Sequence, residues 1–241
     1  MNWQKSRMVW GWLIIIILLL LVMPAAAKNK AKDKAKDKET ERVKITGIKK
    51  AWGNTDKKQA FLEGDLLIIH EETRIKTTYA ELNQDTKDGT FSKGVFTDYK
   101  DIKVESSELY INFKKKNGVF SGAVRVKRQK SKDKNGKEKE PFTLLCDRLE
   151  MDMDKETFIA TGQTVVLEHE DFTGRCQRLD YDNQGEIMEM VGDPVLTRKE
   201  GDTVKGDRIR LNLKDETFEI LDNAEMAFEV EEEDDADDGG K

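Results

Sequence analysis

Apolar and polar residues alternate with a period of two along most of this chain. Leu109, Ile111 and Phe113 alternate with polar neighbours, as do Leu149, Met151 and Met153, the pair Leu179 and Tyr181, and Ile209, Leu211 and Leu213. A short polar turn follows, such as Lys115-Lys116-Asn117-Gly118, Asp154-Lys155-Glu156 or Lys214-Asp215-Glu216. Alternation then resumes through Phe120, Gly122, Val124 and Val126, through Phe158, Ala160, Gly162 and Val166, through Met188, Met190, Gly192 and Leu196, and through Phe218, Ile220, Ala224, Met226 and Phe228. Strict alternation bounded by Asn, Asp and Gly predicts β-hairpins with one face buried and one wet. No window of comparable length has helical spacing.

The hairpins repeat. Gly64, Gly94, Gly122, Gly162 and Gly192 mark successive units, with Asp222 in the next slot. The interval is 28–30 residues except for one of 40, which holds the polar insertion Lys130–Glu140 and is expected to be an exposed loop. Six units predict about twelve strands between Val43 and Val230. A glycine on the apolar face marks a bend or a close approach of another surface. No hairpin can bury its apolar stripe alone, so the array must roll into a sandwich, jelly roll or solenoid. The fold class is all-β, a rolled antiparallel sheet of about six hairpin repeats over residues 43–230.

The ends differ from the body. Lys5 and Arg7 precede an uncharged run from Met8 to Ala27, about 30 Å as a helix and so long enough to span a bilayer. It ends in Pro24-Ala25-Ala26-Ala27, where Ala25 and Ala27 fit a signal-peptidase site. Residues 1–27 therefore read either as a signal peptide or as a retained N-terminal membrane anchor. Residues 28–42 are a Lys-rich tether without an apolar face, and residues 231–241 an acidic, solvated tail.

Composition narrows the chemistry. With 48 acidic and 42 basic residues, a net charge of −6 and lysines gathered in linkers, the chain is a poor partner for nucleic acid. Two histidines and two cysteines leave no ligand set for a metal, and no cofactor is expected. His70 and His169 lie just beyond apolar strands beside Glu71 and Glu168, as surface histidines at the rim do. No phosphate-binding loop, nucleophile elbow or zinc spacing occurs, so the chain is not expected to be an enzyme. Cys146 and Cys176 occupy the same slot of consecutive repeats. They form a disulfide if their strands are direct neighbours. An intervening strand would hold them roughly 10 Å apart as two separate thiols.

Several repeats carry a shared grammar. It reads Val204-Lys-Gly206-Asp207-Arg208-Ile209-Arg-Leu211, then Cys146-Asp147-Arg148-Leu149 and Cys176-Gln177-Arg178-Leu179. Its glycine half reads Thr161-Gly162-Gln-Thr-Val165 and Val191-Gly192-Asp-Pro194-Val195. This resembles the OstA-like repeat of periplasmic lipopolysaccharide-transport proteins, LptA-like above all, and is clearest over residues 104–228. The long apolar segment also suits the anchored LptC-like relatives.

The resemblance implies a periplasmic β-jelly roll that binds lipopolysaccharide or a related glycolipid in an apolar groove. It also implies partners: an inner-membrane ABC exporter, outer-membrane assembly components, and further rolls joined end to end. On strand alternation the groove lining would be Ile111, Phe120, Val124, Met151, Phe158, Tyr181, Met188, Leu211 and Phe218, with Asn112 and Glu189 facing outward. The other reading is a structural or scaffolding β-repeat protein of the cell envelope. An open edge strand, near Ile45 and Ile48 or from Ala224 to Phe228, would supply the joint in either case.

Overall fold

The computed structural model describes residues 42–132, 136 and 138–228. The expected signal or anchor, the tether up to residue 41 and the tail from residue 229 lie outside the described residues. Among the described residues seventeen strands occur: β1 (Lys44–Asn54), β2 (Gln59–His70), β3 (Thr73–Asn83), β4 (Asp88–Tyr99), β5 (Ile102–Asn112), β6 (Asn117–Arg128), β7 (Ser131–Lys132), β8 (Glu138–Lys139), β9 (Phe142–Asp152), β10 (Thr157–Glu168), β11 (Phe172–Asp182), β12 (Ile187–Val191), β13 (Val195–Arg198), β14 (Thr203–Lys205), β15 (Arg208–Asn212), β16 (Thr217–Leu221) and β17 (Glu225–Ala227). Among the described residues no helix is long and apolar enough to cross a membrane.

These strands form one antiparallel meander in the order β1-β2-β3-β4-β5-β6-β9-β10-β11-β12-β15-β16. β13, β14 and β17 continue β12, β15 and β16 beyond breaks at Gly192, Gly206 and Asp222-Asn223. The expected twelve long strands are therefore present. The insertion is not a bare loop, because β7 and β8 pair there as a small separate hairpin.

One turn chemistry closes every hairpin at one end of the sheet. Asn54, Asn83, Asn112, Asp152, Asp182 and Asn212 each accept backbone N–H groups two or three residues on with a side-chain oxygen. Such Asx caps stand in for a backbone turn. The last turn residue is left-handed in each case: Lys58, Lys87, Lys116, Glu156, Glu186 and Glu216, with φ between 49° and 60°. Successive turns also stack, since the N–H groups of Gln84, Phe113, Met153, Asn183 and Leu213 donate to the carbonyls of Lys58, Lys87, Lys116, Glu156 and Glu186. Asn117-Gly118, expected in a turn, instead opens β6.

Each long strand bends at its middle. Register shifts fall between Glu63 and Leu66, Ser92 and Val95, Ser121 and Val124, and Thr161 and Val165, beside the marker glycines. Gly122 shows why glycine stands there. Its φ is +77°, and a Cβ on it would lie 2.8 Å from the Ser107 Cβ. Opposite each glycine, two consecutive residues turn outward, as Ser107-Glu108, Asp147-Arg148 and Gln177-Arg178 do. The Asp-Arg of the repeat grammar is thus the outer side of a bend. β10 carries one residue more than its equivalents at this point, so Val165 and Leu167 face inward and Val166, expected inward, does not.

The bends fold the sheet over on itself. Residues at the Asx-turn end meet residues from the opposite end of strands elsewhere in the sheet. The ring of His70 lies 5.3 Å from that of Phe113, and the Tyr99 hydroxyl donates to the Met153 carbonyl at 3.0 Å. The result is a rolled antiparallel sheet whose two wings face each other across one apolar core.

Candidate functional site

The interior is a set of continuous apolar rows running across the strands. Ile111 pairs with Gly118, which also faces Met151, and the row continues through Phe158, Tyr181, Met188, Leu211 and Phe218. A second row runs Phe91, Leu109, Phe120, Leu149, Ala160, Leu179, Met190 and Ile209. The nine expected lining residues all turn inward. Seven lie in the first row, Phe120 in the second and Val124 on the other wing beyond the bend. All are buried except Phe218, which is half-buried near the last strand.

Of the two residues expected on the outside, one needs correction. Glu189 faces outward and pairs with Arg208. Asn112 does not: it is buried, and its amide donates to Asp88 and to the Thr86 carbonyl while its oxygen caps the turn. Turn chemistry overrides alternation at the strand's last residue.

The cysteines do not form a disulfide. Both are free and buried, and β10 stands between their strands, with Val165 beside Cys176 and Val166 beside Leu145. Sequence-consecutive repeats are two strand spacings apart, roughly 10 Å and beyond bonding reach. Burial pushes the Cys146 thiol up to about 12 and that of Cys176 up to about 11.

The histidines are not surface residues either. His70 is buried against Phe113, and His169 stacks on Phe172 at 4.6 Å. Burial holds the His169 imidazole below its ordinary range, although Asp171, Glu140 and Glu170 pull the other way. Its Nε2 is buried without a hydrogen-bond partner.

These histidines belong to a series that the sequence reading missed: His70, Tyr99, Arg128, His169 and Arg198, at equivalent positions at or just past the ends of β2, β4, β6, β10 and β13. This is the line along which the roll closes. Lys116 pairs with Glu71 at 2.8 Å, and Lys100 donates to Glu156. Arg128 is fully buried. It donates to the Glu140 carbonyl and the Tyr181 hydroxyl, lies 3.8 Å from Glu186, and covers the rings of Phe142 and Tyr181. Tyr181 in turn donates to Asn183, and Asn183 to Glu156, so the Lys100 and Arg128 contacts form one network. Burial alone would lower the Lys100 pKa, but Glu156 and Tyr99 reverse this and raise it.

The clasps are unequal in strength. The partly exposed pairs contribute at most about 1 kcal/mol each. Removing one partner of the buried Arg128 pair would cost about 3–5 kcal/mol, because it strands a charge. The signal for the series was periodicity at a fixed slot with changing residue type.

Among the described residues, no group of three or more His, Cys, Asp or Glu suited to a metal occurs. The chemistry on offer is apolar burial.

Residues 103–217 match the family model described as LptA/(LptD N-terminal domain) LPS transport protein. Over that stretch the chain is similar to the LptA family. The match begins in β5 and ends at the start of β16, so it spans the whole inward row from Ile111 to Leu211. The family is one of transport and binding proteins rather than enzymes. A solved structure that also aligns is that of LptH, the LptA homologous periplasmic component of the conserved lipopolysaccharide transport device from Pseudomonas aeruginosa. The identity is 9%, covering 79% of this chain and 96% of that one, with a TM-score of 0.25. So loose a superposition carries no functional argument. No curated protein matches the chain.

Proposed function

We propose that this chain is a periplasmic component of lipopolysaccharide transport, exported by its N-terminal segment, and that it holds the acyl chains of a glycolipid inside the roll. The observation carrying this reading is the inward row from Ile111 to Leu211, rich in adaptable Met, Phe and Leu and lying within the stretch that matches the family. The partners are the glycolipid, the inner-membrane exporter, the outer-membrane assembly components, and further rolls joined at the edges.

Both edges suit that joining. β1 pairs only with β2 and exposes Ile48 and Trp52 beside Lys49 and Lys50. At the far edge β16, β17 and the residue after β17 expose Leu221, Met226 and Phe228 beside Glu219 and Glu225. Unpaired strands of opposite charge, each bearing apolar side chains, favour edge-to-edge pairing.

The test is a photo-crosslinker placed at inward Met188 or Ile111, with outward Tyr110, 44% exposed, as control. In protein recovered from its native envelope, the inward sites are expected to capture lipid and Tyr110 not. Equal labelling of all three sites, or lipid-free protein throughout, would favour the scaffolding role instead.

A further inference from the structure

Three side-chain polar atoms among the described residues are buried without a hydrogen-bond partner: Thr97 Oγ1, Arg128 Nη2 and His169 Nε2. By strand alternation all three sit at inward positions: Thr97 between Ile75 and Val104, Arg128 two residues beyond Val126, and His169 two beyond Leu167. A donor left unpaired in an apolar interior is unfavourable and calls for an acceptor.

Arg128 and His169 are neighbours. They hold successive slots of the seam where the roll closes, and they share one row. Arg128 pairs with Phe142, and the Thr143–Glu168 pair brings His169 next to Phe142 on the other side. The Arg128 guanidinium lies 4.9 Å from the Phe142 ring centre. Burial lowers the His169 pKa and the Arg128 charge adds to the effect, so the two groups are within electrostatic reach.

Both free atoms are donors. The Arg128 Nε and Nη1 serve the Glu140 carbonyl and the Tyr181 hydroxyl, which leaves Nη2. The His169 Nδ1 accepts the Asp171 backbone N–H at 3.3 Å, so the neutral ring carries its hydrogen on Nε2. The two side chains are 0% and 9% exposed. Charge then selects the acceptor. Glu186 already lies 3.8 Å from Arg128, and Asp171, Glu140 and Glu170 act on His169. A further anion would meet these carboxylates, whereas a neutral carbonyl oxygen brings two lone pairs and no charge.

We propose that Arg128 Nη2 and His169 Nε2 together receive the ester or amide carbonyl oxygen of an acyl chain, held over the Phe142 ring. The proposal rests on the interior being the acyl site. It sets where the acyl linkage stops along the roll. The Phe142 ring centre is 5.5 Å from that of Tyr181 and 6.5 Å from that of Phe158, so a chain leaving the carbonyl runs onto the inward row. Plain hydrocarbon leaves both donors unpaired and a free carboxylate meets the surrounding acids, so the pair selects esters and amides over both.

The experiment uses the full chain and displaces the fluorescent probe N-phenyl-1-naphthylamine with three ligands of similar length: methyl decanoate, 1-chloroundecane and decanoate. His169→Phe keeps an aromatic ring against Phe172 and removes the donor. It is expected to weaken methyl decanoate about fivefold, as the loss of one hydrogen bond does, and to leave 1-chloroundecane unchanged. His169→Gln presents an amide N–H at similar reach and should restore most of that loss. The infrared carbonyl stretch of bound, ¹³C-labelled methyl decanoate should lie at lower frequency than in hexane, and closer to the hexane value in His169→Phe.

Equal weakening of the ester and the chloride by His169→Phe, or a carbonyl stretch that matches hexane in the native protein, overturns the carbonyl site and leaves the interior acyl site standing. Tighter binding of decanoate than of its ester, with that advantage lost in His169→Phe, also overturns it and makes the pair an oxyanion site. If the folded native protein binds neither the probe nor any of the three ligands, the interior acyl site falls, and the carbonyl site with it.

Discussion

Phe158→Ala tests whether the interior row is a cooperative core. The ring is 2% exposed, lies 4.7 Å from that of Tyr181 and 6.5 Å from that of Phe142, and faces Met151 on the other side. Truncation removes a fully buried ring and leaves a cavity in closed surroundings, at about 3–5 kcal/mol. That figure includes the loss of two aromatic pairs worth roughly 0.5–1.5 kcal/mol each. A body of this size has about 5–15 kcal/mol of stability, so the variant should still fold. Its melting temperature should fall by roughly 6–20 °C. Phe96→Ala, at a site 55% exposed, is the control and should change stability by less than about 0.5 kcal/mol. Urea unfolding followed by far-ultraviolet circular dichroism measures both, with the slope checked for two-state behaviour. A loss below about 1 kcal/mol for Phe158→Ala, or one equal to that of Phe96→Ala, would refute the closed roll.

Gly122→Ala should destabilise by about 1–3 kcal/mol in the same assay, because alanine disfavours φ +77° and its methyl would press on Ser107. A thiol reagent at pH 8 should leave Cys146 and Cys176 unmodified in the native protein and label both after unfolding, with no mass change on reduction. Their pKa values are raised by folding, so their contribution to stability is complete below the ordinary thiol value of 9.0. It is lost as pH climbs from there toward about 11–12, and alkaline unfolding should shift to higher pH in the double serine variant. For His169 the sign is opposite. Its pKa is lowered by folding, so its contribution is present above pH 6.5 and lost on acidification, and His169→Phe should flatten the stability decline below that point. An unchanged slope would contradict the burial argument.

The strands, the repeat, the bends and the inward row were legible because each follows from alternation and glycine spacing, which local sequence carries. What alternation could not carry was the parity of each bend. β6 keeps its parity between Phe120 and Val124, whereas β10 spends one residue more between Ala160 and Val165, and only the pairing with β9 and β11 reveals it. Asn112 was misplaced for a related reason, since period-two reasoning fails where a side chain serves the turn.

The cysteine pairing turned on topology. Equivalent slots in consecutive repeats are adjacent in a solenoid of single strands, but alternate in a meander of hairpins. The seam lay deepest, because its members share a slot and no chemistry: a ring contact at His70, a hydroxyl at Tyr99, a guanidinium at Arg128. A core position is held to the apolar class of residue by the medium it must match. A clasp position answers to whatever the opposite turn presents, so each residue there is intelligible only once the sheet has rolled and brought its partner across.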